Sequence, residues 1–372
     1  MNFNDWKTQF IDAAHTAGIS DATLAAIAPL LRPTPAATQA DTTQSETRKT
    51  LRQYLDITVT EARITAGRAA LAQYADVFDQ AETQFGVPRH IVAAIWGLES
   101  NYGQIRGNTP VFQALANLAH AGRRQALFEA ELIAACKIVE QGVMQAPALL
   151  GSWAGAMGHV QFMPSSYVRY AMSTKGAGHV PDIWSDDPSD ALISAAHYLQ
   201  HHGWISGQPW GGQVQWPCGF DIYAARQAGA KPMADWVACG VGGGPDTSAA
   251  LRFILPGGVQ APGFLVAANF DVLMAYNNAA PYAVAVGHLA DRLSGHATAP
   301  LVTPNTVDSP ALSLPQLQDL QRKLTQAGFD TQGADGFHGP NTERAIAAYQ
   351  VQHGLPADGY PNQLLLDHIS AG

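Results

Sequence analysis

The sequence predicts a mostly α-helical protein with a small β element and a small three-helix unit at its C-terminal end. Three observations carry this reading. Apolar residues recur at helical spacing through most of the chain up to Leu293, broken by loops bearing Gly and Pro. Only two short stretches, Val214–Trp216 and Leu251–Leu255, read as strands, and the second runs into the turn signal Pro256-Gly257-Gly258. Residues 295–315 hold four prolines and one formally charged residue, Asp308, which is the composition of a semi-extended linker.

In chain order, residues 1–30 form an amphipathic helical pair interrupted at Gly18, and residues 32–50 carry polar and turn signals of a loop. Helical periodicity returns from Thr60 to Phe85. Beyond the linker, Leu317, Leu320 and Leu324 mark a helical stripe that Gly328 ends. The run Ala334-Asp335-Gly336-Phe337 is then echoed by Ala357-Asp358-Gly359-Tyr360, each followed by Pro, Asn and a helical pattern. This internal repeat, turn then helix, makes a unit too small for a catalytic cleft and large enough for a binding surface.

Composition narrows the function. The chain has 372 residues, which at roughly 150 per domain means two or three domains. Hydrophobic residues at 47% exclude a disordered chain. Charged residues make up 14%, against roughly 25% in an ordinary soluble protein. The net charge of −9, with no basic stripe, argues against nucleic acid and against an anionic membrane surface. An anionic polymer stays allowed, because a site can be locally neutral in an acidic protein. No apolar window is long enough for a transmembrane helix. The start, MNFNDWKTQF, has neither the basic nor the apolar region of a signal peptide, so any signal or lipid anchor is expected to lie outside this chain. Cys136 sits in an apolar helical run and reads as a buried thiol. Cys218 and Cys239 bracket one short segment. They read either as a bridge, which would mark an oxidising compartment, or as two free thiols.

Three segments could carry chemistry. In the first, Ile91, Ile95 and Leu98 share one helical face, and Glu99 lies beside it near the C-terminal end, with Gly103 as the helix stop. Desolvation and the negative end of the helix dipole would both raise the pKa of such a carboxyl, which suits a general acid. The alternative is a solvent-facing glutamate in a last turn. In the second, Gly151–Tyr167, small residues precede an amide, an aromatic and hydroxyls; Gly155 and Gly158 would let a ligand approach the backbone. An ordinary tight turn entering a helix at Ser165 explains the same pattern. The third, Ala275–Tyr282, offers Tyr and Asn groups suited to sugars, or a helix–turn with satisfied core tyrosines.

Together these runs carry a resemblance. GLES around Glu99, GSWAGAMGHVQFMPSSY at 151–167, DPSDALISAAHYL at 187–199 and AYNNAAPYAVAV at 275–286 resemble the lytic murein transglycosylase B family. The resemblance covers nearly all of residues 50–293 and implies a lysozyme-like α-helical catalytic domain. The C-terminal unit, through DGFHGPNT and GLPADG, resembles the three-helix peptidoglycan-binding module. The domains expected are a catalytic region at 1–294, a Pro-rich linker at 295–315 and a wall-binding module at 316–372.

The resemblance implies a catalytic role for Glu99. It implies substrate contacts at Ser152 and Gln161, at Arg123 and Arg124 (with Gly122 in place of the usual Pro before them), at Tyr198, and at Tyr276, Asn277 and Tyr282. Tyr54 is a looser carry-over. The implied reaction cleaves the MurNAc-β-1,4-GlcNAc bond of peptidoglycan without water, with Glu99 as acid and then base, and leaves a 1,6-anhydroMurNAc end. No cofactor is implied. Some members hold calcium in an Asp-rich loop after the QFMPSSY helix. Lys175 and Ala177 stand here where carboxylates would be wanted, so no metal is expected. The implied partners are peptidoglycan strands and other cell-wall enzymes, for a monomer in the bacterial periplasm or cell envelope.

Three rivals stay open. A hydrolytic muramidase would need a second carboxylate, and Asp182, Asp186, Asp187 and Asp190 could supply one, although helix capping before Ala191 also accounts for them. A non-catalytic wall-binding scaffold would need only the C-terminal unit. A metallohydrolase could use His197 and His201 at i, i+4, but the Glu of that zinc motif is absent. Serine chemistry is disfavoured, since Ser152 is not central in Gly151–Gly155.

Overall fold

Side-chain caps set the first helix boundaries in the computed structural model, which describes residues 1–34, 49–122, 124–296, 301 and 312–371. α1 (Phe3–Thr16) starts where the Asn2 side chain accepts from the Asp5 N–H, and α2 (Asp21–Ile27) where Ser20 accepts from Thr23. Gly18 turns the chain between them at φ +89°. α3 (Leu51–Thr58) opens on a capping box of Thr50 and Gln53. The helical stretch expected from Thr60 to Phe85 is two helices, α4 (Glu61–Gln73) and α5 (Ala75–Phe85). They part at Tyr74, whose ring packs edge-on against Trp96 with centroids 5.6 Å apart. α6 (Arg89–Ser100), α7 (Val111–His120), α8 (Gln125–Glu140), α9 (Pro164–Tyr170) and α10 (Ser189–His201) follow. α11 (Ile222–Gln227), α12 (Met233–Ala238), α13 (Ala268–Tyr276) and α14 (Ala280–Ser294) complete the part before the Pro-rich segment. α15 (Leu314–Gln326), α16 (Pro340–Gln352) and α17 (Gln363–Ala371) form the C-terminal trio. Most of the loop expected at 32–50 and of the linker expected at 295–315 lies outside the described residues.

The β structure is larger than the two strands expected. β1 (Thr109–Pro110) pairs antiparallel with β2 (Leu150–Gly151). A second, four-stranded antiparallel sheet has the order β4 (Gly242–Gly243), β3 (Gly211–Gln215), β6 (Gly263–Val266), β5 (Arg252–Ile254). β3 begins three residues before the stretch expected and ends before Trp216. β6 is buried at all four residues, so it lacks the alternation that marks a half-exposed strand. Val214, Trp236, Leu251, Phe253 and Leu265 fill the core against this sheet, and the Trp236 indole N–H donates to the Leu251 carbonyl at 2.9 Å.

The chain divides into two compact units, Met1–Gln44 with Ala62–His202 and Ser45–Glu61 with Gly203–Gly372. In the first, α1 presents Trp6, Phe10 and Ala14 inward, and α6 and α7 are buried along most of their length. Cys136 on α8 is buried, and burial pushes its thiol up to about 12. Cys218 and Cys239 are free and exposed.

In the second unit the C-terminal trio closes on Leu317, Leu320, Leu324, Ile346, Tyr349 and Leu365. The Ala-Asp-Gly repeat has a structural cause. Asp335 Oδ1 accepts from the Phe337 N–H at 2.9 Å, while buried Gln321 donates to that oxygen at 3.0 Å and accepts from Gly336 N at 2.8 Å. One step on, Asp358 Oδ1 accepts from Tyr360 N at 3.0 Å, and Gln350 donates to it at 2.6 Å and accepts from Gly359 N at 2.9 Å. Each turn is thus clamped by a glutamine from the preceding helix. The second clamp also holds the trio to the rest of the unit. Asp358 Oδ2 accepts from Val259 N at 3.0 Å, and Arg226 of α11 donates to the Asp358 carbonyl and pairs with Glu343.

α14 carries two titratable groups of opposite consequence, buried His288 and half-buried Asp291. Burial, and then the Arg292 charge, lower His288 to about 4. Burial raises Asp291 to about 6, against the Trp210 indole that donates to it at 3.1 Å. Between these values the unfolded state protonates His288 where the folded state does not, so stability rises with pH. Over pH 4 to 6 the folded state keeps a proton on Asp291 that the unfolded state releases, so stability falls with pH and the two offset. In Asp291→Asn the falling contribution is gone. Its unfolding free energy gains about 2 kcal/mol more than wild type between pH 4 and 6.5, measured by urea unfolding at a series of pH values. Parallel curves for the two proteins would refute this offset.

Candidate active site

Helix α6 is held at its two ends by different chemistry. At the N-terminal end, Arg89 lies where a cation opposes the helix dipole. Glu82 and Asp79 of α5 pair with it, and Glu82 also accepts from the Arg89 backbone N–H at 2.7 Å. Desolvation pushes Glu82 upward, but the hydrogen bonds and charge of Arg89 outweigh it and hold the carboxyl below its usual range. Along the helix Ile91, Val92, Ala93, Ala94 and Ile95 are buried. Glu99, its only acid, sits half-buried in the last turn.

The C-terminal end is bolted to residue 159. Ser100 Oγ donates to the His159 carbonyl at 2.5 Å and accepts from Gly103 N at 3.0 Å. One turn earlier, the Trp96 indole N–H donates to His159 Nδ1 at 3.1 Å. An accepting Nδ1 puts the imidazole proton on Nε2, which donates to the Ser185 carbonyl at 2.7 Å. Burial, and then the Arg106 charge, keep His159 below its usual pKa despite that carbonyl, so the ring is neutral near pH 7. Both residues flanking Glu99's turn, Trp96 and Ser100, thus reach the same histidine.

The helix stops sooner than the sequence suggests. Asn101, Tyr102 and Gly103 are left-handed in succession, at φ 50°, 56° and 84°. Asn tolerates this conformation. Tyr102 is held in it by its contacts: its ring fills the notch at Gly97 and its hydroxyl donates to the Arg63 carbonyl at 3.0 Å. Gly103 has no substitute, since a Cβ there would lie 2.4 Å from the His159 ring.

The loop that leaves this turn meets two more expected site residues. A Cβ on Gly107 would fall 2.6 Å from Ser152 N, and Gln161 Nε2 donates to the Arg106 carbonyl at 3.1 Å and the Gly158 carbonyl at 2.8 Å. Ser152 Oγ accepts from the N–H groups of Ala154 at 3.3 Å and Ala156 at 3.1 Å. These bonds use the acceptor capacity of the half-buried hydroxyl and leave it a donor. Gln161, with both amide hydrogens engaged, keeps acceptor capacity on its Oε1. Gln161 is itself left-handed, at φ 49°, and closes the tight turn between Met157 and Phe162. Tyr198 is buried against Phe162, Tyr170 and His202, with ring centroids 5.7, 4.9 and 4.2 Å away, and burial pushes its phenol up to about 12. Arg124 is exposed at the start of α8. Arg123 lies outside the described residues.

Tyr54, Tyr276, Asn277 and Tyr282 belong to the second unit. Tyr54 is half-buried on α3. Tyr276 ends α13, Asn277 caps it, and Tyr282 is buried in the first turn of α14.

Gly155 and Gly158 answer to the protein's own packing. Both are left-handed, and a Cβ would meet Leu115 at 2.5 Å in one case and the Ile183 carbonyl at 2.3 Å in the other. The four aspartates are also engaged. Asp182 accepts from the N–H groups of Trp184 and Ser185, and Asp187 from Ser189. Asp190 accepts from Thr174 and Asp182, and Asp186 pairs with Arg106 at 2.8 Å. His197 Nδ1 sits 2.9 Å from the Tyr170 carbonyl, in contact with Tyr170 and Phe85. Sequence reasoning missed Trp96, Ser100, Arg106 and His159, whose partnerships span 53 to 63 residues or more. It also passed over Trp153, a large aromatic that is 40% exposed beside Ser152.

Residues 2–291 match the model of the transglycosylase SLT domain, and residues 313–369 that of a peptidoglycan binding domain. The membrane-bound lytic murein transglycosylase B of Escherichia coli strain K12 is 32% identical over 243 residues, 63% of this chain. The match spans 65% of that relative's length. The crystal structure of SltB3 from Pseudomonas aeruginosa in complex with NAG-anhNAM-pentapeptide is 40% identical with a TM-score of 0.92, and each chain is covered in full. The Escherichia coli lytic transglycosylase Slt35 in complex with calcium is 27% identical with a TM-score of 0.64, over 78% of this chain and 93% of that one.

The bolt at residue 159 makes a quantitative demand on Gly103. Gly103→Ala loses stability by about 1–2 kcal/mol from its left-handed backbone, plus the displacement of the buried imidazole. Gly176, left-handed at φ +88° with nothing within 4 Å of a Cβ, is the control and carries the backbone part alone. Urea midpoints of Gly103→Ala and Gly176→Ala should therefore differ, and equal losses would show that His159 yields freely.

Proposed function

The chain belongs to the transglycosylase SLT family, and from that premise we propose that it is a lytic transglycosylase of peptidoglycan in which Glu99 is the single acid and base. The observation that carries the assignment is the placement of Glu99. It is the one carboxyl of a helix whose middle turns are apolar and buried, in a last turn fixed from both sides by His159.

The chemistry follows from having one carboxyl where a glycosidase ordinarily uses two. Protonated Glu99 donates to the glycosidic oxygen between MurNAc and GlcNAc, and the C1–O bond breaks. The carbonyl of the MurNAc 2-acetamido group stabilises the cationic C1 as an oxazolinium. Glu99, now a carboxylate, takes the proton of the C6 hydroxyl as that oxygen attacks C1. The product is a 1,6-anhydroMurNAc end; no water is consumed, and Glu99 regains its proton. A donor such as Ser152 suits an acetamido oxygen, and an acceptor such as Gln161 suits a sugar hydroxyl. Arg123, Arg124, Tyr198, Tyr276, Asn277, Tyr282 and Tyr54 are proposed substrate contacts on the family motifs alone.

Hydrolysis by a muramidase would need a second carboxyl with a free oxygen aimed at water. Asp190 has both oxygens engaged, by Thr174 and the Asp182 N–H, and Asp186 is paired with Arg106, while Asp182 and Asp187 cap backbone N–H groups through one oxygen each, which fits the helix-capping account of this cluster. Residues 313–369 fit a role in keeping the enzyme on its insoluble substrate. Such a substrate places the protein in the cell envelope, and the working form is proposed to be a monomer alongside other cell-wall enzymes.

Digestion of purified sacculi tests the proposal. Wild type should release muropeptides whose MurNAc ends are one water lighter than reducing ends. Glu99→Gln should keep sacculus binding and lose turnover by about a thousandfold. Reducing ends from wild type would establish hydrolysis instead, and a fully active Glu99→Gln would remove Glu99 from the mechanism.

A further inference from the structure

The register of β3 and β4 aligns two cysteines just beyond the sheet. Val214 faces Gly243 and Gln215 faces Gly242. Counted outward past the ladder, that register aligns Trp216 with Val241, Pro217 with Gly240 and Cys218 with Cys239. The backbone keeps this count past the strand ends, since a Cβ on Gly240 would lie 2.9 Å from Pro217 Cγ. Each cysteine then sits in its own turn. Cys218 follows Pro217 in a turn closed by Phe220 N donating to the Pro217 carbonyl at 3.2 Å, with Gly219 left-handed at φ +78°. Cys239 caps α12, its N–H directed at the Asp235 and Trp236 carbonyls. Both thiols are exposed. The Pro217–Gly240 contact brings the chains on either side together one residue before each cysteine, and a disulfide needs Cα atoms about 4.4–6.8 Å apart.

We propose that Cys218 and Cys239 form a redox-modification site that closes to an intramolecular disulfide in the presence of a small disulfide oxidant. One cysteine thiolate attacks a sulfur of the oxidant, forming a mixed disulfide and expelling one thiolate. The second cysteine thiolate attacks its partner's sulfur in that mixed disulfide and expels the other. The two cysteines lose two protons and two electrons, and the oxidant leaves as two thiols. Cys136 takes no part, being buried with its thiol held protonated. Cys218 lines a groove of about 520 Å³ whose walls include Phe220 and Tyr223 on one side and Gly354–Ala357 of the C-terminal trio on the other. The bridge would tie one wall of that groove to the end of α12.

The whole chain is treated with oxidised glutathione, quenched with maleimide, and weighed intact and as peptides. The expected product is a chain two hydrogen atoms lighter, with one Cys218–Cys239 cross-linked peptide, reversed by dithiothreitol. Wild type should carry about tenfold less glutathione on Cys239 than Cys218→Ser does, because the resolving thiol is adjacent. Equal glutathione on Cys239 in the two proteins, bridges only between separate chains, or two unmodified thiols would each overturn the proposal.

Discussion

The hydrogen bond from Ser100 to the His159 carbonyl is the contact on which the placement of the last turn of α6 depends. It joins two segments 59 residues apart, and the Trp96–His159 bond repeats the connection one helical turn away. A buried hydrogen bond adds about 1 kcal/mol net, but losing one partner strands the other at a larger cost. Here one histidine uses its backbone carbonyl, its backbone N–H toward Ile183 at 3.0 Å, and both ring nitrogens. Breaking any one bond loosens the others, so the last turn of α6 has a single position. On the proposed mechanism, Glu99 gives a proton and takes one back within one turnover, and a fixed last turn serves both steps.

Glycine geometry lets the loops come close enough for this. Gly103 admits the imidazole, Gly107 the Gly151–Ser152 backbone, and Gly158 the Ile183 carbonyl. The chain from Glu99 onward thus lies directly on the turn that holds Ser152 and Gln161. Those two residues spend their internal hydrogen bonds in complementary ways, one left as a donor and the other as an acceptor. The loop's own stability therefore dictates the polarity it can show to a sugar.

How far the sequence exposes this design depends on whether a feature is periodic or long-range. Leu317, Leu320 and Leu324 repeat at helical spacing and are buried as that spacing requires. The Ala-Asp-Gly echo is visible as a repeat, but its cause, the paired glutamines Gln321 and Gln350, shows only once the helices pack. β6 stayed hidden because a strand buried on both faces has no alternation to detect. Glu99 was legible as a lone acid in an apolar helix; the histidine that positions it was not, because nothing local in Gly158-His159-Val160 points to residues 96 and 100. Gly155 and Gly158 suit either a ligand's close approach or an ordinary tight turn in the sequence, and the space beside them is filled by Leu115 and Ile183.

The low charged fraction and the single acid express one constraint. A wall polymer is read mostly through hydroxyl, amide and acetamido groups, so uncharged donors and acceptors do the recognising, and a stray carboxylate near the cleft would compete for those same donors. The aspartates between residues 182 and 190 all have partners inside the fold. Asp182, Asp187 and Asp190 accept from backbone N–H groups, and Asp186 pairs with Arg106. Of these four only Asp186 meets an opposite charge; the other three keep their negative charge and use it to fix the backbone ahead of α10.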